Sequence, residues 1–88
     1  MLWIVRLADE AKAEMSVFPR DHQSMIYRGL KRMEENPFYG NLRLLKGKEW
    51  KGVYRRTIGR YRISFTPLYN ERIAQVVSIR LKTEKTYR

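Results

Sequence analysis

The chain has 88 residues, enough for a single domain (1–88) and one small core, since at this size only about 60–65% of the unfolded surface is buried on folding. Hydrophobic residues at 43% and aromatic residues at 12% favour a folded domain over disorder, even with 32% charged. The absence of cysteine removes disulfides, thiolate catalysis and Cys-based zinc sites. With His22 the only histidine, no His-based cluster or triad can form either, so no metal and no cofactor is expected. No apolar run approaches the roughly 18 residues of a membrane span. The opening Met1-Leu-Trp-Ile-Val-Arg-Leu7 is short for a signal peptide and lacks its leading charges. The chain reads as soluble and cytoplasmic.

The formal net charge of +10 is unevenly spread. Residues 1–40 hold six Lys/Arg against six Asp/Glu, whereas residues 41–88 hold thirteen Lys/Arg against Glu49, Glu71 and Glu84. A charge concentrated in this way repels itself, and a polyanion relieves the repulsion. Nucleic acid or an acidic protein is therefore the expected partner.

In chain order, residues 2–7 alternate, with Trp3, Val5 and Leu7 on one side and Leu2, Ile4 and Arg6 on the other, which predicts a strand. Asp9 can cap a short helix whose Ala8, Ala11, Met15 and Phe18 recur at helical spacing, and Pro19 breaks it. Asp21 is placed to cap a second helix reaching about Glu35, with Met25, Ile26, Gly29, Leu30 and Met33 as its apolar stripe. Asn36-Pro37 ends that helix. A loop is expected from Phe38 through Leu45-Lys-Gly-Lys48. From Trp50 the period becomes two, predicting strands over 53–58, 61–66 and 73–79, with turns at Gly59-Arg60 and around Asn70.

The resulting order is β-α-α-β-β-β. This is an α+β fold, with two N-terminal helices on one face of a small antiparallel sheet and the other face open to solvent or a partner. Neighbours in a strand point oppositely. Parity sends Tyr54, Ile58, Tyr61, Ile63, Phe65, Ile73, Val77 and Ile79 toward the helices. It sends Val53, Arg55, Thr57, Arg62, Ser64, Thr66, Ala74, Val76, Ser78 and Arg80 outward. Arg55, Arg62 and Arg80 thus share the open face, with the small Thr57, Ser64 and Ser78 leaving a shallow groove between them. Few carboxylates are at hand to pair with them. Arg56 falls with Tyr54 and Ile58 by parity, so it either snorkels at the sheet rim or marks a bulge that shifts the register. Trp3, Trp50, Tyr54 and Tyr61 read as core, and His22 as a surface residue.

The run Tyr54-Arg-Arg-Thr-Ile-Gly-Arg-Tyr-Arg-Ile-Ser-Phe65, preceded by Leu45-Lys-Gly-Lys48, resembles the L-x-G … Y-R-x-R-x-G-x-Y-R signature of the RelE/ParE toxin superfamily. A final strand and a basic tail ending Lys85-Thr-Tyr87-Arg88 extend the likeness over nearly the whole chain. The resemblance implies the RelE-like fold and the toxin of a type II toxin–antitoxin pair. On the RelE branch it implies a ribosome-dependent, metal-independent mRNA endoribonuclease cutting in the A site, with a cognate antitoxin, the ribosome and mRNA as partners and no membrane. On the ParE branch it implies a DNA gyrase inhibitor without nuclease activity. Carried over by position, Arg55, Arg62, Lys82 and Tyr87 are the catalytic candidates, and Lys46, Lys48, Arg56, Arg80 and Lys85 the RNA-binding ones. The sequence departs from the signature in three places. Thr57 takes the second basic position, with Arg56 beside it. Lys82 or Arg80 replaces the arginine after the last strand. Arg60 replaces an acidic turn residue.

Such residues suit RNA cleavage by 2′-OH attack. Arginines, always charged, clamp the phosphate. A Lys or Tyr among them is pushed toward its deprotonated form by the surrounding positive charge, leaving Tyr87 or Lys82 as base or base stacker.

Overall fold

The computed structural model describes residues 2–82. Its elements are β1 (Ile4–Leu7), α1 (Asp9–Ser16), α2 (Arg20–Met33), β2 (Leu42–Leu44), a 3-10 turn (Lys48–Trp50), β3 (Tyr54–Ile58), β4 (Tyr61–Leu68) and β5 (Ile73–Leu81). The strands form one sheet in the order β1-β5-β4-β3-β2, antiparallel except for the parallel β1–β5 pair. The α+β fold with both helices on one sheet face is as expected, with one strand more. Leu42–Leu44 lies in the segment expected to be a loop and extends the sheet beyond β3.

The helices begin slightly off the expected caps. Ala8 and Pro19 occupy the cap positions, and neither gives a side-chain cap bond. Asp9 and Asp21 fall inside the first turns, where their charge still meets the positive end of the helix dipole. The α2 stripe is buried as its spacing dictates, with Ile26, Gly29, Leu30 and Met33 inside. Gly29 matters because a Cβ there would lie 2.5 Å from Cδ1 of Ile58, so glycine sets how closely α2 rides on β3. The two-residue β3–β4 turn has positive φ at Gly59 and not at Arg60, the pattern of a type II′ hairpin. In the β4–β5 turn the positive φ falls on Arg72 rather than on Asn70.

The core joins Ala11 and Met15 of α1, the α2 stripe, and Tyr61, Ile63, Phe65, Ala74, Val76 and Ile79 of the sheet. Trp3 packs edge-on against Phe38 and Tyr69.

Parity holds through β3 and β4 and fails in β5. Ser64 faces Ser78 while Phe65 faces Val76, so Val77 is an extra residue in a β-bulge. Below the bulge the faces exchange. Ala74 and Val76 are fully buried against the helices, contrary to the outward placement expected for them. Ile73 pairs outward with Ile4, and Val77 borders the open face with Ser78. Val53, just before β3, is also buried rather than outward.

Candidate functional site

The uncovered face of the sheet gathers guanidinium groups from four adjacent strands. Arg43 of β2 pairs directly with Arg55 of β3, and Arg62 of β4 pairs directly with Arg80 of β5. Arg55 faces Ser64 and Arg62 faces Thr57, which makes the two arginines diagonal neighbours. Burial first, and then the charges of Arg62 and Arg43, hold the Arg55 guanidinium below its ordinary pKa. A cation whose charge is disfavoured by its surroundings is relieved by an anion placed among them.

Two hollows meet at this pair. The larger, about 690 Å³, has Arg55, Arg62 and Arg80 along it, Ser64, Val77 and Ser78 as its floor, and Leu45, Lys46, Trp50 and Glu10 at its sides. The smaller, about 360 Å³, is bounded by Asn41, Arg43, Thr57 and Lys82 together with the same Arg55 and Arg62. The expected groove is present, because small side chains and the bulge keep its floor low.

Of the expected site residues, Arg55, Arg62, Arg80, Lys46 and Lys82 come together at these hollows. Lys48 is exposed in the 3-10 turn nearby but borders neither hollow. Tyr87 and Lys85 lie outside the described residues.

Arg56 is a correction to the expected RNA contacts. Its side chain points to the helical side, only 2% exposed. There Nη2 donates to the carbonyl of Pro37, and the guanidinium sits 4.0 Å from the Tyr39 ring centroid. Burial lowers its pKa while Tyr39 works in the opposite direction. This arginine fastens the 36–40 loop onto the sheet and has no access to a ligand on the open face.

Three residues of the site were not foreseen. Arg43 lies in the segment expected to be a loop, although Leu42-Arg43-Leu44 alternates and follows Gly40-Asn41. Trp50, expected in the core, is 39% exposed at the rim of the larger hollow. Glu14 supplies the carboxylate that seemed lacking. Its Oε2 pairs with Arg80 Nε at 3.1 Å and its Oε1 accepts the Ile79 N–H at 2.8 Å. Arg80 is thus tethered to α1, while Arg43, Arg55 and Arg62 form no ion pair among the described residues.

Elsewhere, a third hollow of about 650 Å³ lies against the outer side of α2, bounded by Tyr27, Arg28, Lys31, Arg32, Glu35, Asn36 and Tyr39. It lacks the strand-to-strand convergence of charge seen on the open face. His22, half-buried rather than free at the surface, hydrogen-bonds through Nδ1 to the Tyr61 hydroxyl at 2.8 Å. No three His, Asp or Glu side chains cluster as metal ligands among the described residues. No helix among them is long and apolar enough to cross a membrane.

This architecture is that of the RelE toxins. The chain superposes on the toxin–antitoxin complex RelBE2 from Mycobacterium tuberculosis with TM-score 0.84 at 12% identity, covering 93% of this chain and 100% of that one. It superposes on the archaeal RelE-RelB complex from Pyrococcus horikoshii with TM-score 0.79 at 15% identity, covering 97% and 100%. The isolated E. coli RelE toxin gives TM-score 0.77 at 14% identity, covering 94% and 87%. No family model matches the sequence. No curated protein matches it either.

Proposed function

We propose that this protein is the toxin of a toxin–antitoxin pair, a cytoplasmic, ribosome-dependent mRNA endoribonuclease that needs no metal. The observation that carries the reading is the guanidinium array on the open sheet face, with Arg55 and Arg62 common to both hollows. In this reading the scissile phosphate lies between those two side chains. The 2′-oxygen attacks the adjacent phosphorus and gives up its proton to a base. The P–O5′ bond breaks, and the 5′-oxygen leaves as a hydroxyl after taking a proton. The products are a 2′,3′-cyclic phosphate and a 5′-OH end. Arg55 and Arg62 hold the phosphate and neutralise the charge that builds on its oxygens in the transition state. Lys82, at the smaller hollow, and Tyr87 of the tail are the proton-transfer candidates. The ribosome supplies orientation by splaying the message.

The similarity to RelE toxins, two of them in complexes with antitoxins, supports the toxin role and a cognate antitoxin, which would neutralise the site by covering Arg55, Arg62 or the 80–88 tail. The deciding experiment is primer-extension mapping of mRNA in a translating extract. Cuts within the A-site codon are expected, and intact mRNA would overturn the nuclease reading. A gyrase inhibitor is the second reading, favoured by one observation: neither hollow contains a histidine, and Glu10 is the sole carboxylate bordering them. Intact mRNA with blocked supercoiling would select it.

A further inference from the structure

We infer that Trp50 is a stacking platform for a nucleobase next to the phosphate held by Arg55 and Arg62. The inference rests on reading the open face as an RNA-binding surface. The Trp50 indole is 39% exposed, so part of its ring surface is open to a ligand. Here it borders the larger hollow alongside Arg55 and Arg62, with Lys46 from the same loop. The chain's other tryptophan, Trp3, is packed against Phe38 and Tyr69.

The loop that carries Trp50 is built rather than slack. Gly47, at φ 107, starts the 3-10 turn, the Trp50 N–H donates to the Gly47 carbonyl at 3.1 Å, and the Val53 N–H returns to the Trp50 carbonyl at 3.0 Å. The same hollow is bordered by Ser64 and Ser78, two small hydroxyl side chains that leave height for a flat ligand. Aromatic rings interleaved with cations are how proteins hold single-stranded nucleic acid, since every base offers a π face and every linkage a charge. An acidic peptide would satisfy the arginines but would leave the indole without a flat partner.

The test compares hexauridylate with a hexamer of equal length and charge made of abasic spacer units, each labelled at its end and titrated by fluorescence anisotropy at low salt. The wild-type protein is expected to favour the base-bearing hexamer by about 5- to 150-fold, the range that stacking of one base supports. Trp50→Ala is expected to lose most of that preference, and Trp50→Phe to restore most of it. Quenching of wild-type tryptophan emission by hexauridylate alone is the second readout, independent of whether Trp50→Ala folds. No preference in the wild type, the same preference in Trp50→Ala, or no binding of either hexamer overturns the inference. Primer-extension mapping run in parallel separates the two proposals. Absence of any preference in the wild type with mRNA still cut removes the stacking role alone, and a wild-type preference that Trp50→Ala loses, with mRNA intact, removes the nuclease reading alone.

Discussion

Glu14 and Arg80 meet at the edge of β5, Oε2 to Nε at 3.1 Å, while the other carboxylate oxygen takes the Ile79 amide at 2.8 Å. β1 covers β5 only from Ile73 to Val76, so the amides beyond it lack a strand partner on that edge, and α1 supplies an acceptor instead. Arg80 is 67% exposed, which limits the ion pair to about 1 kcal/mol or less, whereas an orphaned amide costs about 1–3 kcal/mol. Glu14→Ala is therefore expected to lower unfolding free energy by about 1–3 kcal/mol in urea titrations. Glu14→Gln, which keeps the acceptor, is expected to lose less than about 1 kcal/mol. Equal losses would mean that the charge and not the amide bond is what counts.

Arg55 and Arg62 repel one another in the free protein, so substitution of each is the test. Arg62→Ala and Arg55→Gln are expected to reduce cleavage about 100-fold or more, and to flatten the log–log salt dependence of RNA binding by about 0.7 each. Thermal melts of both variants should match or slightly exceed the parent. A large drop in melting temperature would show that the cluster is structural.

Arg56 gives the converse result. Arg56→Met leaves the Pro37 carbonyl without its donor and removes the cation over Tyr39, at an expected cost of about 1–3 kcal/mol. The salt dependence of RNA binding should not change. A flattened slope would place this arginine among the ligand contacts after all.

At most exposed helical positions Gly→Ala stabilises, because glycine loses more backbone freedom on folding. Gly29 should reverse that sign, since the new methyl would press on Ile58. Gly29→Ala is expected to destabilise by about 1–3 kcal/mol, and adding Ile58→Val, which deletes the nearest methyl, to recover part of it. A double-mutant cycle with no coupling would rule out this close contact.

The Tyr69 phenol is held above its ordinary value of 10.0, first by the neighbouring Tyr54 hydroxyl and then by burial. A raised acid pKa contributes stability that is complete below pH 10 and is lost as pH rises through the folded-state value. Unfolding free energy measured from pH 9 upward should fall, and Tyr69→Phe should fall less steeply. Identical curves would show that the Tyr54 contact is not felt in solution.

Much of this could be read from the residues, and what could not has identifiable physical causes. The α2 stripe and the alternation in β3 and β4 settle which side of the sheet Arg55 and Arg62 occupy. The bulge at Val77 escapes notice because Val76 and Val77 are equally apolar, so either can be the buried one. Three residues are too few for alternation to reveal β2 or the Arg43 it carries. Glu14 and Ile79 are linked only through the folded sheet edge, which local pattern does not encode. Trp50 reads as interior because large aromatic rings usually belong there.

The parallel pairing of Ile4–Leu7 with Ile73–Val76 has a further consequence for how the molecule is made. The two strands lie at opposite ends of the described residues, so the sheet closes only when segments far apart along the chain meet. Contacts this distant along the chain also form slowly. The arginine pairs lie on strands that are close in sequence, so this distant pairing, and not the arginine-bearing face, is the slow step in closing the sheet.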